Sequence, residues 1–393
     1  MALLMLMLIS VAIANANANA NSTCCFYNSI NNTTSSTISS WTNSVRIYEY
    51  VSNANPIMSE VPNRLFTSDL HEQGPSAIIQ FDLSQELQTH YPATSPNLLA
   101  NFIRILENET LESSVIFAAT SQTFYVIRGN GSSLTRNGSV SWSEGDMFVI
   151  PYFGNDVESV CTMPNSNKQC VKHTCNNEPL FGGCALYWVH DEPLLQYLGV
   201  EPSSQRRFEP AFYSSNAMKE TVYSLSNTDN NGNIKNRRGI LLGNEATMQT
   251  RTLTPTLWSL LNNIGPDINQ KPHKHNSVAL DLAVYARSGT NVYTQMSQEL
   301  NENGELLNPI STQWKTGSVF ITPPGWWHSH HNEGNEDAWV LPIQDAGLYT
   351  HQRTLDFRIA DDETERLKTH RSRGATLDTS TTKTSNNLYK PCS

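Results

Sequence analysis

Between residues 123 and 325, short apolar runs alternate with Gly, Asn and Pro punctuation. The runs TFYVIRGNG (123–131), DMFVIP (146–151), GCALYWV (183–189), VALDLAVYA (278–286) and SVFITPPG (318–325) are rich in Val, Ile, Phe and Tyr. They predict β-strands closed by turns. Helical spacing is confined to PNLLANFIRIL (96–106) and TLWSLLNNI (256–264), which read as short helices. Strands predominate, so the expected class is all-β, a barrel or sandwich with a few short helices.

The strand runs fall into two blocks with a shared pattern. Gly145 leads after five residues to Pro151, and Gly317 leads after five residues to Pro323. Each Gly-to-Pro segment is an apolar strand feeding a turn. Duplication of one small barrel is the simplest account, with the Ser-, Asn-, Arg- and Gly-rich residues 201–245 as the linker. The expected organisation is an N-terminal barrel over 46–200 and a C-terminal barrel over 246–360.

The ends look different. Residues 1–20, MALLMLMLISVAIANANANA, are apolar and then stepped with Ala-x-Ala. That pattern predicts a secretory signal peptide and an extracellular protein. Residues 21–45 are Ser-, Thr- and Asn-rich and predict a flexible leader. Residues 361–393 predict a loosely ordered tail. Asn-x-Ser/Thr sequons at Asn21, Asn31, Asn32, Asn108, Asn130 and Asn137 fit a secreted glycoprotein.

Composition narrows the function classes. Of 393 residues, 38% are hydrophobic and 16% charged, which supports a packed core and excludes a wholly disordered chain. The net charge of −10 leaves no basic surface for nucleic acid or anionic lipid. The expected partner is a small-molecule substrate, with no nucleic acid, no membrane once the signal is removed, and homo-oligomerisation left open. Four of the seven cysteines, Cys161, Cys170, Cys175 and Cys184, lie close together; Cys24, Cys25 and Cys392 are the others. In an oxidising compartment the four predict disulfides in one of three pairings; zinc is the competitor, although the spacings contain no Cys-x-x-Cys.

The candidate chemistry sits in the second block. His273 and His275 stand two apart, so a strand points both to one face. In GSVFITPPGWWHSHHN (317–332), His328 follows a Pro-Pro-Gly turn. An antiparallel barrel can bring it beside the His-x-His strand. Three neutral imidazoles on one side of an ion leave the other side open. Trp326 and Trp327 fit either a pocket wall or packing at the barrel rim. His71, His90, His173, His190, His331, His351 and His370 carry no spacing argument and are read as structural or exposed.

Gly317, Pro323, Pro324, Gly325, His328 and Asn332 reproduce the second motif of the cupin superfamily, which this chain resembles. The first motif is met in part: His273-x-His275 is present, but Ala279 and Leu280 stand where many cupins carry a glutamate. A three-histidine set without that glutamate, followed by WHSHHNEG (327–334), is similar to the gentisate 1,2-dioxygenase branch. The resemblance covers about residues 46–360. It implies two double-stranded β-helix (jelly-roll) barrels and a mononuclear metal held by His273, His275 and His328. Fe(II) is the metal it implies first, with Zn, Mn, Ni and Cu left open. It also implies a catalytic role for His330 in substrate hydrogen bonding or proton transfer.

The departures shape the functional reading. The gentisate branch usually carries a substrate-holding arginine six residues after its second ligand; here that position is Asp281. Alternation from His275 turns residue 281 into the barrel, where a carboxylate repels another. Gentisate itself is therefore not the expected substrate. Asp281 is a candidate fourth ligand, general base or hydroxyl partner, with a plain hydrogen-bonded role as the alternative. In the first block the expected ligand positions fall near Ile116, Ala118 and Gln122, and Asp156 stands at the position that His328 holds in the second block, so that barrel is expected to hold no metal. The leading expectation is a secreted metal-dependent dioxygenase-like oxidoreductase acting on a phenolic or polyol molecule. The alternative is a non-catalytic metal- or carbohydrate-binding, storage-type bicupin.

Overall fold

The computed structural model describes residues 41–115, 118–136, 138–153, 170–176, 182–203, 205–226, 228 and 236–360. The signal, most of the leader, the tail, Ile116, Asp156, Cys24, Cys25, Cys161, Cys392 and the sequons at Asn21, Asn31, Asn32 and Asn137 lie outside the described residues. Residues up to Met58 form one unit and Ser59 onward another. In the first, a 3-10 turn, Trp41–Ser44, precedes a one-turn helix, Tyr50–Asn53. The Glu49 carboxylate accepts the backbone N–H groups of Val51 and Ser52 at the start of that helix.

The second unit is built from four antiparallel sheets among the described residues. One six-stranded sheet has the order Ala211–Tyr213, Met147–Pro151, Ser121–Arg128, Cys184–His190, Leu99–Ile105, Ala77–Gln80. A smaller sheet of Thr110–Ser114, Cys170–Cys175, Asn130–Thr135 and Gly138–Ser143 closes over one face of it. The second six-stranded sheet has the order Leu65–Phe66, Val319–Thr322, Ala279–Tyr285, Ala338–Gln344, Trp258–Ile264, Arg238–Leu242. Its companion runs Ile310–Gln313, Val292–Ser297, Trp327–Asn332, His273–His275, Phe357–Ile359. These are two barrels of the expected jelly-roll kind, with helices few and short.

Period-two alternation assigns each strand's faces. Leu280 and Leu282 share an apolar cluster with Tyr187 and Val189 of the other six-stranded sheet. The two large sheets therefore pack on one another, and the Tyr187 hydroxyl donates to the Leu280 carbonyl across them at 3.3 Å. The alternate residues Asp281 and Ala283 face into the second barrel. Chain crossings tie the barrels further. Leu65–Phe66 pairs with Val319–Phe320 although it precedes the first barrel in sequence. The stretch 201–245 adds the edge strands Ala211–Tyr213 and Arg238–Leu242 and the helix Ser215–Ser224.

Two expectations are corrected. The segments read as helices at 96–106 and 256–264 are the strands Leu99–Ile105 and Trp258–Ile264. Each lies inside a six-stranded sheet, and every residue of Leu99–Ile105 is buried. A strand covered on both faces loses its polar alternation, so its apolar run imitates a helix. Among the four clustered cysteines, Cys175 pairs with Cys184, with Cα atoms 5.7 Å apart; Cys170 is also disulfide-bonded.

The two barrels share a frame but differ in filling. Phe124 pairs with Trp188 and Phe148, and the three rings stack inside the first barrel, 5.8 and 4.9 Å apart. The same ladder in the second barrel pairs Asp281 with Pro342 and Phe320. Register thus matches Phe124 to Asp281 and Trp188 to Pro342. One barrel is plugged by aromatic rings where the other has smaller groups. Phe124→Ala is expected to destabilise the protein by about 3–5 kcal/mol, read as a lower urea midpoint. A loss below about 1 kcal/mol would show the first barrel to be loosely filled.

Candidate metal centre

The strand His273–His275 lies between Trp327–Asn332 and Phe357–Ile359, with His273 directly opposite His328. The Gly325 N–H donates to the His275 carbonyl at 2.7 Å, which ties the Pro-Pro-Gly turn to the His-x-His strand. The three rings are buried. The ring centroids of His273 and His328 lie 3.9 Å apart, His275 and His328 5.0 Å, and His273 and His275 5.9 Å. Each offers one nitrogen to a set whose atoms all lie within 4.8 Å of one another.

The donor set fits a metal ion. His275 Nδ1 lies 2.8 Å from the Ser277 carbonyl and His328 Nδ1 3.1 Å from the Trp326 carbonyl. A carbonyl only accepts, so each Nδ1 carries the ring proton and the other nitrogen keeps its lone pair. Ser277 in turn donates to Gln344 Oε1 at 2.7 Å, fixing the loop that orients His275. Burial pushes all three imidazoles down, His275 to about 4 and the other two well below the ordinary histidine range; Arg237 adds to the effect at all three and neighbouring imidazoles at His273 and His328. All three are therefore neutral near pH 7, the state that binds a cation.

The rings open onto a cavity of about 460 Å³. Its walls are largely apolar, from Trp258, Leu260, Val340 and Pro342; Asp281, His330, Asn262, Gln344 and Arg237 are among its polar points, and the exposed Arg251 stands at its lining too. Asp281 faces this cavity as alternation predicts and accepts the Thr322 hydroxyl at 2.6 Å. Burial, opposed by that hydrogen bond, lifts its carboxyl to about 7. His330 also lines the cavity, outside the three-nitrogen set. Its Nδ1 lies 2.8 Å from Thr294 Oγ1, which accepts Trp314 Nε1–H at 2.8 Å. Trp326 and Trp327 do not line the cavity: Trp326 packs on the barrel core, and Lys274 Nζ sits 4.3 Å from the Trp327 ring. A larger cavity of about 590 Å³, lined by Tyr125, Glu144 and Asp337 among others, contains none of the three histidines.

The first barrel repeats the second-barrel scaffold without the ligands. Trp142 Nε1–H donates to Ser133 Oγ, which lies 2.8 Å from His173 Nδ1. These residues match Trp314, Thr294 and His330. Here Ser113 closes the other side of the ring, 2.8 Å from His173 Nε2. Ser113 pairs with Val171 as His273 pairs with His328. The counterparts of His273, His275 and His328 are thus Ser113, Val115 and Val171, earlier in the chain than the spacing from residues 125–129 placed the first two. Ala118 is buried, and Gln122 accepts Trp188 Nε1–H at 3.0 Å inside the plugged barrel.

Sequence reasoning missed Arg237. It precedes the edge strand Arg238–Leu242 and reaches the cavity from outside both motifs. Its Nη2 contacts the Lys271 carbonyl and lies 2.8 Å from His273 Nδ1, while its buried Nε has no hydrogen-bond partner among the described residues. No local signal marks it, since the ligand-spacing argument runs forward from His273.

Comparison with solved structures gives the fold a class. The chain is similar to salicylate 1,2-dioxygenase from Pseudaminobacter salicylatoxidans, with a TM-score of 0.56 and 13% identity over 82% of this chain and 96% of that one. The adduct of that enzyme with gentisate matches with a TM-score of 0.57 and 12% identity over 82% and 93%. The fold is therefore that of a two-cupin protein. Neither a protein-family model nor a curated protein sequence matches the chain.

The raised Asp281 carboxyl has a measurable consequence. A folded carboxyl that keeps its proton to about pH 7 costs stability wherever the unfolded chain, with its ordinary value of 3.8, has already lost that proton. The cost is absent below the unfolded value, grows as pH rises, and levels off above the folded value. In the metal-free protein, Asp281→Asn is expected to melt higher than the parent near pH 8, by on the order of a few kcal/mol, and level with it near pH 4. The same offset at both pH values would show that Asp281 ionises freely.

Proposed function

We propose that the chain is a metal-dependent, dioxygenase-like oxidoreductase that acts outside the cell on a small phenolic or polyol molecule, with Fe(II) as its metal. One observation carries the reading: three buried, neutral histidines open together onto an apolar cavity of a size that suits a single-ring molecule. The likeness in fold to a cupin dioxygenase supports it. The sequence leader and the Cys175–Cys184 disulfide support the extracellular assignment.

When bound, Fe(II) supplies the redox chemistry that combines an organic substrate with dioxygen. The chain supplies the setting. His273, His275 and His328 hold the ion. Trp258, Leu260 and Val340 shed water from around a ring. Asp281, lifted by burial toward neutral pH, takes up the proton of a substrate hydroxyl. His330, braced by Thr294 and Trp314, presents a ring to the same space. Asp281 at the position of the gentisate branch's arginine argues against gentisate held in that branch's manner.

Elemental analysis beside an oxygen electrode tests the proposal. The parent is expected to carry close to one metal per chain and His328→Ala to lose most of it. The Fe(II)-loaded parent is expected to consume oxygen with at least one member of a phenol and polyol panel. Equal metal in parent and variant would remove the site. A loaded protein that stays silent across the panel would turn the reading toward a binding protein.

A further inference from the structure

Arg237 stands in the way of the ion. A guanidinium has five N–H donors and no acceptor, so the nitrogen it approaches, His273 Nδ1, must present a lone pair. The ring proton of neutral His273 is then on Nε2. Two routes lead from here to a ligand. If the ion takes Nδ1, the guanidinium N–H already occupies that lone pair. If the ion takes Nε2, the ring proton must move to Nδ1, where it meets an N–H head on. Either way the contact between Arg237 and His273 cannot persist in a loaded site. His275 and His328 differ, because their Nδ1 atoms face carbonyls and are set for ligation beforehand.

The guanidinium has somewhere to go. Arg237 lines the cavity, and its buried Nε has no partner among the described residues. The Lys271 carbonyl accepts from the same Nη2 that meets His273, so the guanidinium gives up both contacts when it turns. Trp258, Leu260 and Val340 wall the cavity that Arg237 lines, and in such a space a guanidinium without a partner is costly and an anion beside it is strongly favoured.

We propose that Arg237 is a metal-released latch: in the metal-free site it occupies His273, and loading the ion swings it into the cavity to receive an anionic group of the ligand. This rests on the metal reading above. It deepens that reading by assigning the substrate an acidic substituent and an order of binding, metal first and anion second.

The latch predicts opposite signs for one substitution. Co(II) serves as a spectroscopic metal probe and benzoate as an aromatic anion that carries no hydroxyl. Arg237→Gln is expected to bind Co(II) about tenfold more tightly than the parent, because the competitor for His273 is gone. The Co(II)-loaded variant is expected to bind benzoate at least tenfold more weakly in calorimetry, because the receiving fork is gone. Arg237→Lys keeps a charge but not the fork; it is expected to keep part of the benzoate affinity, and it carries the same comparison if the Gln variant folds poorly. Co(II) affinity unchanged or weakened in both variants would overturn the latch and leave the metal site standing. Benzoate affinity unchanged in the loaded variants would overturn the anion role. A parent that binds no Co(II), or binds it equally well after His328→Ala, would overturn the metal reading and the latch together.

Discussion

The antiparallel register that sets His273 opposite His328 is the constraint on which the site depends. Side chains alternate across a strand, so a slip of one residue in either partner would turn a ligand outward and bring Lys274 or Ser329 in. The register is held from three sides. Phe357–Ile359 pairs along the outer edge of His273–His275, the Gly325 N–H binds the His275 carbonyl, and Asn332 donates to the carbonyls of Ile264, Gly265 and Glu336 at the far end of its strand. The motif residues Gly325 and Asn332 thus act on the backbone, fixing the frame that aims the histidines.

The duplicated barrel separates what the fold needs from what the site adds. Both barrels keep a tryptophan N–H, a hydroxyl and a histidine in one chain of hydrogen bonds, Trp142–Ser133–His173 and Trp314–Thr294–His330. The barrel with Ser113 and Val171 at ligand positions keeps that chain, so it is a strut of the small sheet before it is anything else. What changes is the far nitrogen of the histidine. Ser113 closes it in the first barrel, whereas His330 lies against the cavity. Exchange of Phe124 for Asp281 and of Trp188 for Pro342 at matched register positions turns a stacked aromatic plug into usable space.

Much of this was legible in the sequence, for physical reasons. The five strand runs are mostly buried on both faces, so what makes them legible is their β-branched and aromatic composition and the Gly, Asn and Pro punctuation that closes them. His273, His275 and His328 are legible because strand periodicity and turn chemistry are local. The inward face of Asp281 follows from the same counting. Legibility fails where a feature is not local. Leu99–Ile105 is covered on both faces by parts of the chain distant in sequence, so its pattern misleads. Arg237 reaches the site through the pairing of Arg238–Leu242 with Trp258–Ile264, a contact no spacing rule anticipates. The ligand counterparts in the first barrel were displaced because counting back from residues 125–129 assumed equal connections in the two halves.

The charges of the cavity bear on what it can hold. Its imidazoles are driven neutral by burial, and Asp281 is lifted to where it holds its proton through much of the acidic range. Arg237 remains a cation even though burial lowers it to about 10. A low-dielectric space with a fixed positive charge resists a second cation, because both charges lose hydration and repel at short range. A dication therefore enters at least cost when the guanidinium withdraws from the ligand it covers and negative charge comes in behind it, from an ionised Asp281 or from the incoming molecule. Ion, acid and ligand anion then form one balanced set, and the permanent charge that hinders the empty site becomes a reason for the filled one to hold together.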